Sequence, residues 1–195
     1  LFKAKGIFGL FPANSINDDD IELYTNEDRT QVLDKLITLR QQSKKRDGVP
    51  NLALSDFIAP KDSNIKDYIG LFSVSSGFGC DELCLAYEKN NDDYNSIMAK
   101  AIADRLAEAL AEYLHKLIRT KYWGYNKNEK TTNEDLIKEK YQGIRPAPGY
   151  PACPDHLEKK TIWKILNVED KIGVKLTENL AMWPAASISG YYFSN

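Results

Sequence analysis

Short apolar runs bounded by turn-forming residues dominate the first third of the chain. Residues 5–11, which include the apolar run Gly6-Ile-Phe-Gly-Leu-Phe11, and residues 21–25 read as strands, separated by a turn around Asn17 to Asp20. Thr30 to Leu39, rich in β-branched residues and Leu, suits a strand or a helix. Leu52 to Ile58 and Tyr68 to Ser75 read as two further strands, with Pro60 and a polar stretch between them and Ser75-Ser-Gly-Phe-Gly79 as punctuation. The period then changes. Tyr94, Met98, Ile102, Leu106 and Leu110 recur at helical spacing, and Leu114 and Ile118 continue the series, so Asp81 to about Tyr122 is expected to be helical. Frequent Ala favours helix, and the Asp92-Asp93 pair suits a helix N-terminus. Trp123-Gly closes the run. A short helix is expected over Asn133 to Tyr141, capped by Thr132 or Asn133, and another over Pro154 to Leu166 with Pro154 in its first turn. Ser187 to Phe193 reads as a late strand. Strands, then helices, then a strand predict an α+β fold: an antiparallel sheet with helices in a single domain.

Charge narrows the partners. Lys and Arg number 26 against 28 Asp and Glu, a net charge of −2, so there is no basic excess of the kind that phosphate backbones select. No apolar run approaches the roughly 20 residues that span a bilayer, and no secretory signal opens the chain, so neither nucleic acid nor a membrane is expected as partner. The three cysteines, Cys80, Cys84 and Cys153, are too few and too odd in number for a disulfide framework, which fits a reducing cytoplasm. Cys80 and Cys84 lie one helical turn apart. Packing or surface thiols are favoured there over a metal pair, because no nearby His or Cys completes a site. The chain opens on Leu1 and stops directly after Tyr191-Tyr192-Phe193 and Ser194, so residues 1–195 read as a domain truncated at both ends.

The segment Arg145-Pro-Ala-Pro-Gly-Tyr-Pro-Ala-Cys-Pro-Asp-His156 carries the chemistry. Its prolines, at 146, 148, 151 and 154, fix φ, remove backbone donors and push the preceding residues towards extended conformations. Gly149 permits close backbone approach. Arg145 offers a planar fork for a carboxylate, and Tyr150 a ring for a cation. Read alone, the segment is either a rigid connector with a surface Arg or a ligand cradle. Asp104 and Glu108 fall on one helical stripe with Ile97, Ala101 and Ala111, a solvated face or the wall of a cleft. His115 is expected on the surface, His156 as a cap or in solvent, and Trp163 and Trp183 in the core.

That string closely resembles the motif of the activation domain of cobalamin-dependent methionine synthase. Gly9-Leu-Phe-Pro-Ala-Asn14, Leu39-Arg-Gln-Gln42, Phe57-Ile-Ala-Pro60, Asp67-Tyr-Ile-Gly70, Ala103-Asp-Arg-Leu-Ala-Glu108, Tyr122-Trp-Gly-Tyr125, Tyr141-Gln-Gly143 and Ala181-Met-Trp-Pro184 resemble the same family, in order along nearly the whole chain. The resemblance implies a domain that binds S-adenosylmethionine and presents its methyl group to cobalamin on a neighbouring module of the same polypeptide. One electron from a flavodoxin-type donor then allows reductive methylation of cob(II)alamin to methylcobalamin. The parent enzyme methylates homocysteine to methionine with 5-methyltetrahydrofolate; its homocysteine, folate and zinc sites belong to other modules. Carried over by position, the S-adenosylmethionine contacts are Glu108, Glu139, Arg145, Ala147, Gly149 and Tyr150, with Asp104 facing the cobalamin module. The family's acidic contact upstream and its aromatic contacts downstream lie outside residues 1–195, and Gly77-Phe-Gly-Cys80 departs from a stretch that is more acidic in the family. The competing expectations are a stand-alone factor that reactivates a separate corrinoid protein, and a non-catalytic docking module in which the loop is only structural.

Overall fold

A computed structural model describes residues 3–194, and the chain has the α+β architecture expected of it. Five strands form a sheet in the order β3-β2-β1-β4-β7, from β1 (Lys3–Ile16), β2 (Asp20–Tyr24), β3 (Val32–Ile37), β4 (Asp67–Phe78) and β7 (Ser187–Tyr192). The β1–β2 and β2–β3 pairs are antiparallel. β5 (Lys175–Leu176) and β6 (Met182–Trp183) make a separate two-stranded ribbon. The helices are α1 (Cys80–Glu88), α2 (Asp93–Leu117), α3 (Asn133–Ile137), α4 (Glu158–Leu166) and α5 (Val168–Ile172). None of them is long and apolar enough to cross a membrane.

The chain divides into two compact units, each described here by itself. One holds residues 3–7, 73–141 and 168–189; the other holds 8–72, 142–167 and 190–194.

In the first unit, α1 and α2 pack through small residues. Cys80 and Cys84 of α1 meet Ala99, Ala103 and Ala107 of α2 and Ala186 in one buried cluster. The Ser76 hydroxyl donates to the Ala103 carbonyl, and the Ser76 N–H to the Ala186 carbonyl. The buried stripe of α2 is thus Ser96, Ala99, Ala103, Ala107, Ala111 and His115. The first members of the larger series that identified the helix do not face the core: Tyr94 is 71% exposed and Leu106 43%, and only towards Ile118 does the series turn inward. Alanine's short side chain lets the helix backbone approach closely, so the core side of α2 is the less apolar one. Asp92 caps the helix by accepting from the Asn95 N–H at 3.1 Å. The helix ends in a π-helical turn, Ile118–Tyr122, before Gly124 at φ 73°.

In the second unit, β1 runs on through Pro12-Ala-Asn-Ser to Ile16, past the residue-11 boundary that its prolines suggest. Pairing with β2 begins at Ala13, so Pro12 leaves no β2 hydrogen bond unmade. Asn17, at φ 51°, turns the chain into β2. Thr30 to Leu39 resolves as strand. Leu52 to Ile58, expected as a strand, instead contains the 3-10 turn Leu54–Phe57. Asp56 holds it by accepting from the Ala53 N–H at 2.9 Å, a local bond that competes with strand pairing. α4 begins at Glu158, later than Pro154, after a turn in which Asp155 accepts from the Leu157 N–H. Tyr192 stacks on Phe72 with ring centroids 4.5 Å apart, and Phe193 packs on Phe57.

Candidate functional site

In the second unit the proline segment lies along the outer side of β7. Ile144 exchanges both backbone hydrogen bonds with Phe193, at 3.0 and 3.1 Å. One step on, the Tyr191 N–H donates to the Pro146 carbonyl at 3.0 Å. The two partners of Arg145 in sequence are therefore both fixed to the strand. Gly190 makes this contact possible: a Cβ there would stand 2.3 Å from the Pro146 oxygen and 3.3 Å from the Ala147 Cα.

The tip of the segment folds on itself. The Gly149 N–H donates to the Cys153 carbonyl and the Cys153 N–H to the Tyr150 carbonyl, each at 2.8 Å. Gly149 has φ 101°, and a Cβ on it would meet the His156 ring at 2.3 Å. The glycine is thus required twice, by conformation and by space. His156, expected as a cap or in solvent, is exposed, with its ring beside this turn. Tyr150 is left 65% exposed at the tip.

Beneath the turn lies a buried polar layer that no spacing along the chain foretells. Cys153 and Tyr191 are buried, and burial pushes the Cys153 thiol up to about 11 and the Tyr191 hydroxyl well above its ordinary value. Glu158, at the start of α4, is 7% exposed, and its Oε2 has no partner. Burial raises this carboxyl to about 7, and the charges of Asp155, Asp34 and Asp20 add to the rise, against one backbone hydrogen bond from Ile37.

In the first unit, Asp104 and Glu108 stand one turn apart on an exposed face of α2. With Ala101, Arg105 and Ala107 of the helix they line a groove of about 380 Å³, closed on its other side by Ala185 to Ile188. The stripe is thus solvent-exposed at Ala101, Asp104 and Glu108 while forming one wall of an open groove. Glu139 does not line that groove. It follows α3, whose Thr132 caps it in a reciprocal pair with Asp135, and it is exposed at φ 50°. Arg145, Ala147, Gly149 and Tyr150 are brought together in the single loop of the second unit.

Two expectations are corrected. His115 is not on the surface: it is fully buried, edge-on to Tyr141 at 5.2 Å, because it continues the alanine stripe of α2. Trp183 is not core but 51% exposed on the β5–β6 ribbon, too short an element to cover it. Of the two readings of Cys80 and Cys84, packing holds: both are buried, their Sγ atoms 3.8 Å apart, and burial pushes Cys80 up to about 11.

The fold is α+β, with Asp104 and Glu108 in a groove on α2 and Arg145 on a proline-braced loop. Over residues 1–195 the chain matches the family described as the activation domain of vitamin B12 dependent methionine synthase, and it belongs to that family. It is also similar to a crystal structure of the MetH reactivation domain bound to AdoHcy, with 58% sequence identity and a TM-score of 0.95. The match covers 99% of this chain and 59% of that one, so the chain spans less than two thirds of that relative's length.

Proposed function

We propose that this chain binds S-adenosylmethionine and serves the reductive reactivation of cobalamin in a methionine synthase. The observation that carries the reading is the 58% identity, across nearly the whole chain, to a solved reactivation domain that holds AdoHcy. AdoHcy is what remains of S-adenosylmethionine once its methyl is gone; the two share a carboxylate, an ammonium, a ribose and an adenine.

The residues fit that chemistry. Arg145, fixed on both sides by the β7 pairing, matches the carboxylate through its planar fork. Glu108 and Glu139 supply negative charge for the ammonium and the sulfonium. Ala147 and Gly149 offer backbone groups for adenine and ribose, and Tyr150 its exposed ring. Asp104, beside Glu108, faces the cobalamin module. S-adenosylmethionine supplies the methyl group, and cobalamin, reduced by one electron from a flavodoxin-type donor, receives it. The protein's share is to position the two reactants. In this reading the domain is part of a cytoplasmic methyltransferase that makes methionine from homocysteine and 5-methyltetrahydrofolate, with cobalamin on a module of the same polypeptide and zinc elsewhere in the parent enzyme. The domain by itself is not catalytic.

Titration calorimetry with S-adenosylmethionine tests the reading. Binding is expected in the wild type, weakened at least tenfold in Arg145→Ala, the scale of a lost charge-assisted pair. No heat in the wild type, or equal affinity in the variant, would leave the loop a structural element of a docking module.

A further inference from the structure

Arg119 is fully buried at the π-helical end of α2. Its Nε and one terminal nitrogen fork onto Glu129 at 2.6 and 2.8 Å, and its other nitrogen lies 3.7 Å from Glu112. Its guanidinium lies over the Tyr141 ring, 3.7 Å from the centroid. The Tyr141 hydroxyl donates to Glu112 at 3.1 Å, and His115 meets the ring edge-on. One tyrosine is thus gripped on its face, its edge and its hydroxyl, all from α2 and the turn that ends it.

The two ends of this cluster point to its use. Glu112 is one helical turn beyond Glu108, and Tyr141 is two residues beyond Glu139. Glu139 holds φ 50°, a left-handed conformation that a residue with a side chain adopts at a cost. Two neighbours hold it there. The α3 end bonds it from before, through the Glu139 N–H to Leu136 and the Lys140 N–H to Asp135. The Tyr141 clamp holds it from after. A buried arginine with two carboxylates and an aromatic face is more than a short connection needs for stability, since apolar residues of like volume serve as well.

The geometry points to Arg119 as a positioning residue: by clamping Tyr141 it holds the left-handed backbone at Glu139, and with it the carboxylate that receives a cationic ligand. This rests on the S-adenosylmethionine reading and adds to it a residue that touches no ligand itself.

The test is a double-mutant cycle on ligand affinity. Arg119→Lys keeps the buried charge and removes the fork and the stacked plane. Tyr141→Leu, as a second variant, removes the ring and keeps apolar volume. Each is measured with and without Glu139→Gln, by calorimetry with S-adenosylmethionine, after near-ultraviolet circular dichroism confirms the fold. Arg119→Lys is expected to weaken binding roughly tenfold, the scale of one misdirected charge-assisted contact, and to have little further effect once Glu139 is Gln. If the variant is misfolded, Tyr141→Leu carries the same cycle. The same loss in both backgrounds, or no loss, overturns the role of Arg119 and leaves the ligand reading intact. Absence of binding in the wild type overturns the ligand reading instead.

Discussion

Glu158→Gln should make the protein more stable, and by an amount that grows with pH. The carboxyl sits at 7% exposure with one oxygen unpartnered, and its pKa rises from 4.5 to about 7. Below pH 4.5 it is protonated folded or unfolded and costs nothing extra. Between 4.5 and 7 the unfolded chain releases the proton while the folded one keeps it, so stability falls as pH rises. Above 7 the folded form must hold a buried carboxylate near Asp155, Asp34 and Asp20. The full penalty is roughly 3 kcal/mol, from about 1.4 kcal/mol per pH unit of displacement. Glutamine keeps the shape and an oxygen for the Ile37 N–H, and does not titrate. Urea unfolding of both proteins from pH 5 to 8.5 should show their difference widening by roughly 2 to 3 kcal/mol. Parallel stability curves over that range would refute the reasoning.

Other outcomes follow from the same geometry. Gly149→Ala, with its Cβ set 2.3 Å from the His156 ring at φ 101°, should cost about 1 to 3 kcal/mol in thermal unfolding and weaken the ligand binding proposed for the loop. Ala107→Leu should destabilise by about 1 to 3 kcal/mol through overpacking of the α1–α2 seam, whereas Ile102→Gln, at 45% exposure, should stay within about 0.5 kcal/mol; equal costs would contradict the burial assignment.

What the sequence shows and what it conceals divide along physical lines. Hydrophobic period found β2, β4, β7 and the long helix, because those patterns repeat over several turns or pleats, and left β3 open between strand and helix. It did not find the buried face of α2. Leu, Ile and Met outrank Ala on any apolar scale, yet the Ala stripe packs because close approach needs small side chains. The 3-10 turn at Leu54 was hidden for a related reason: its apolar residues suit a strand, and the Asp56 side chain decides otherwise through one local bond. At the site, the resemblance supplied Arg145 and the carboxylates, and the fold added what supports them. Gly190, Tyr191 and Glu158 carry no motif; only the fold brings them to the loop. Arg119 gave no signal either, since a lone arginine at a helix end reads as surface.

The pairing of the loop with β7 has a second effect. β7 is the last strand of its sheet, and a bare last strand is a template for unwanted partners. Residues 144 to 146 cover its final residues, and Pro146, which lacks an N–H, cannot pass the ladder on to a further strand. A segment read first as a cradle is thereby also a guard against polymerisation. Variants that free it from β7 should therefore aggregate, a loss separate from any effect on the ligand binding proposed for the loop.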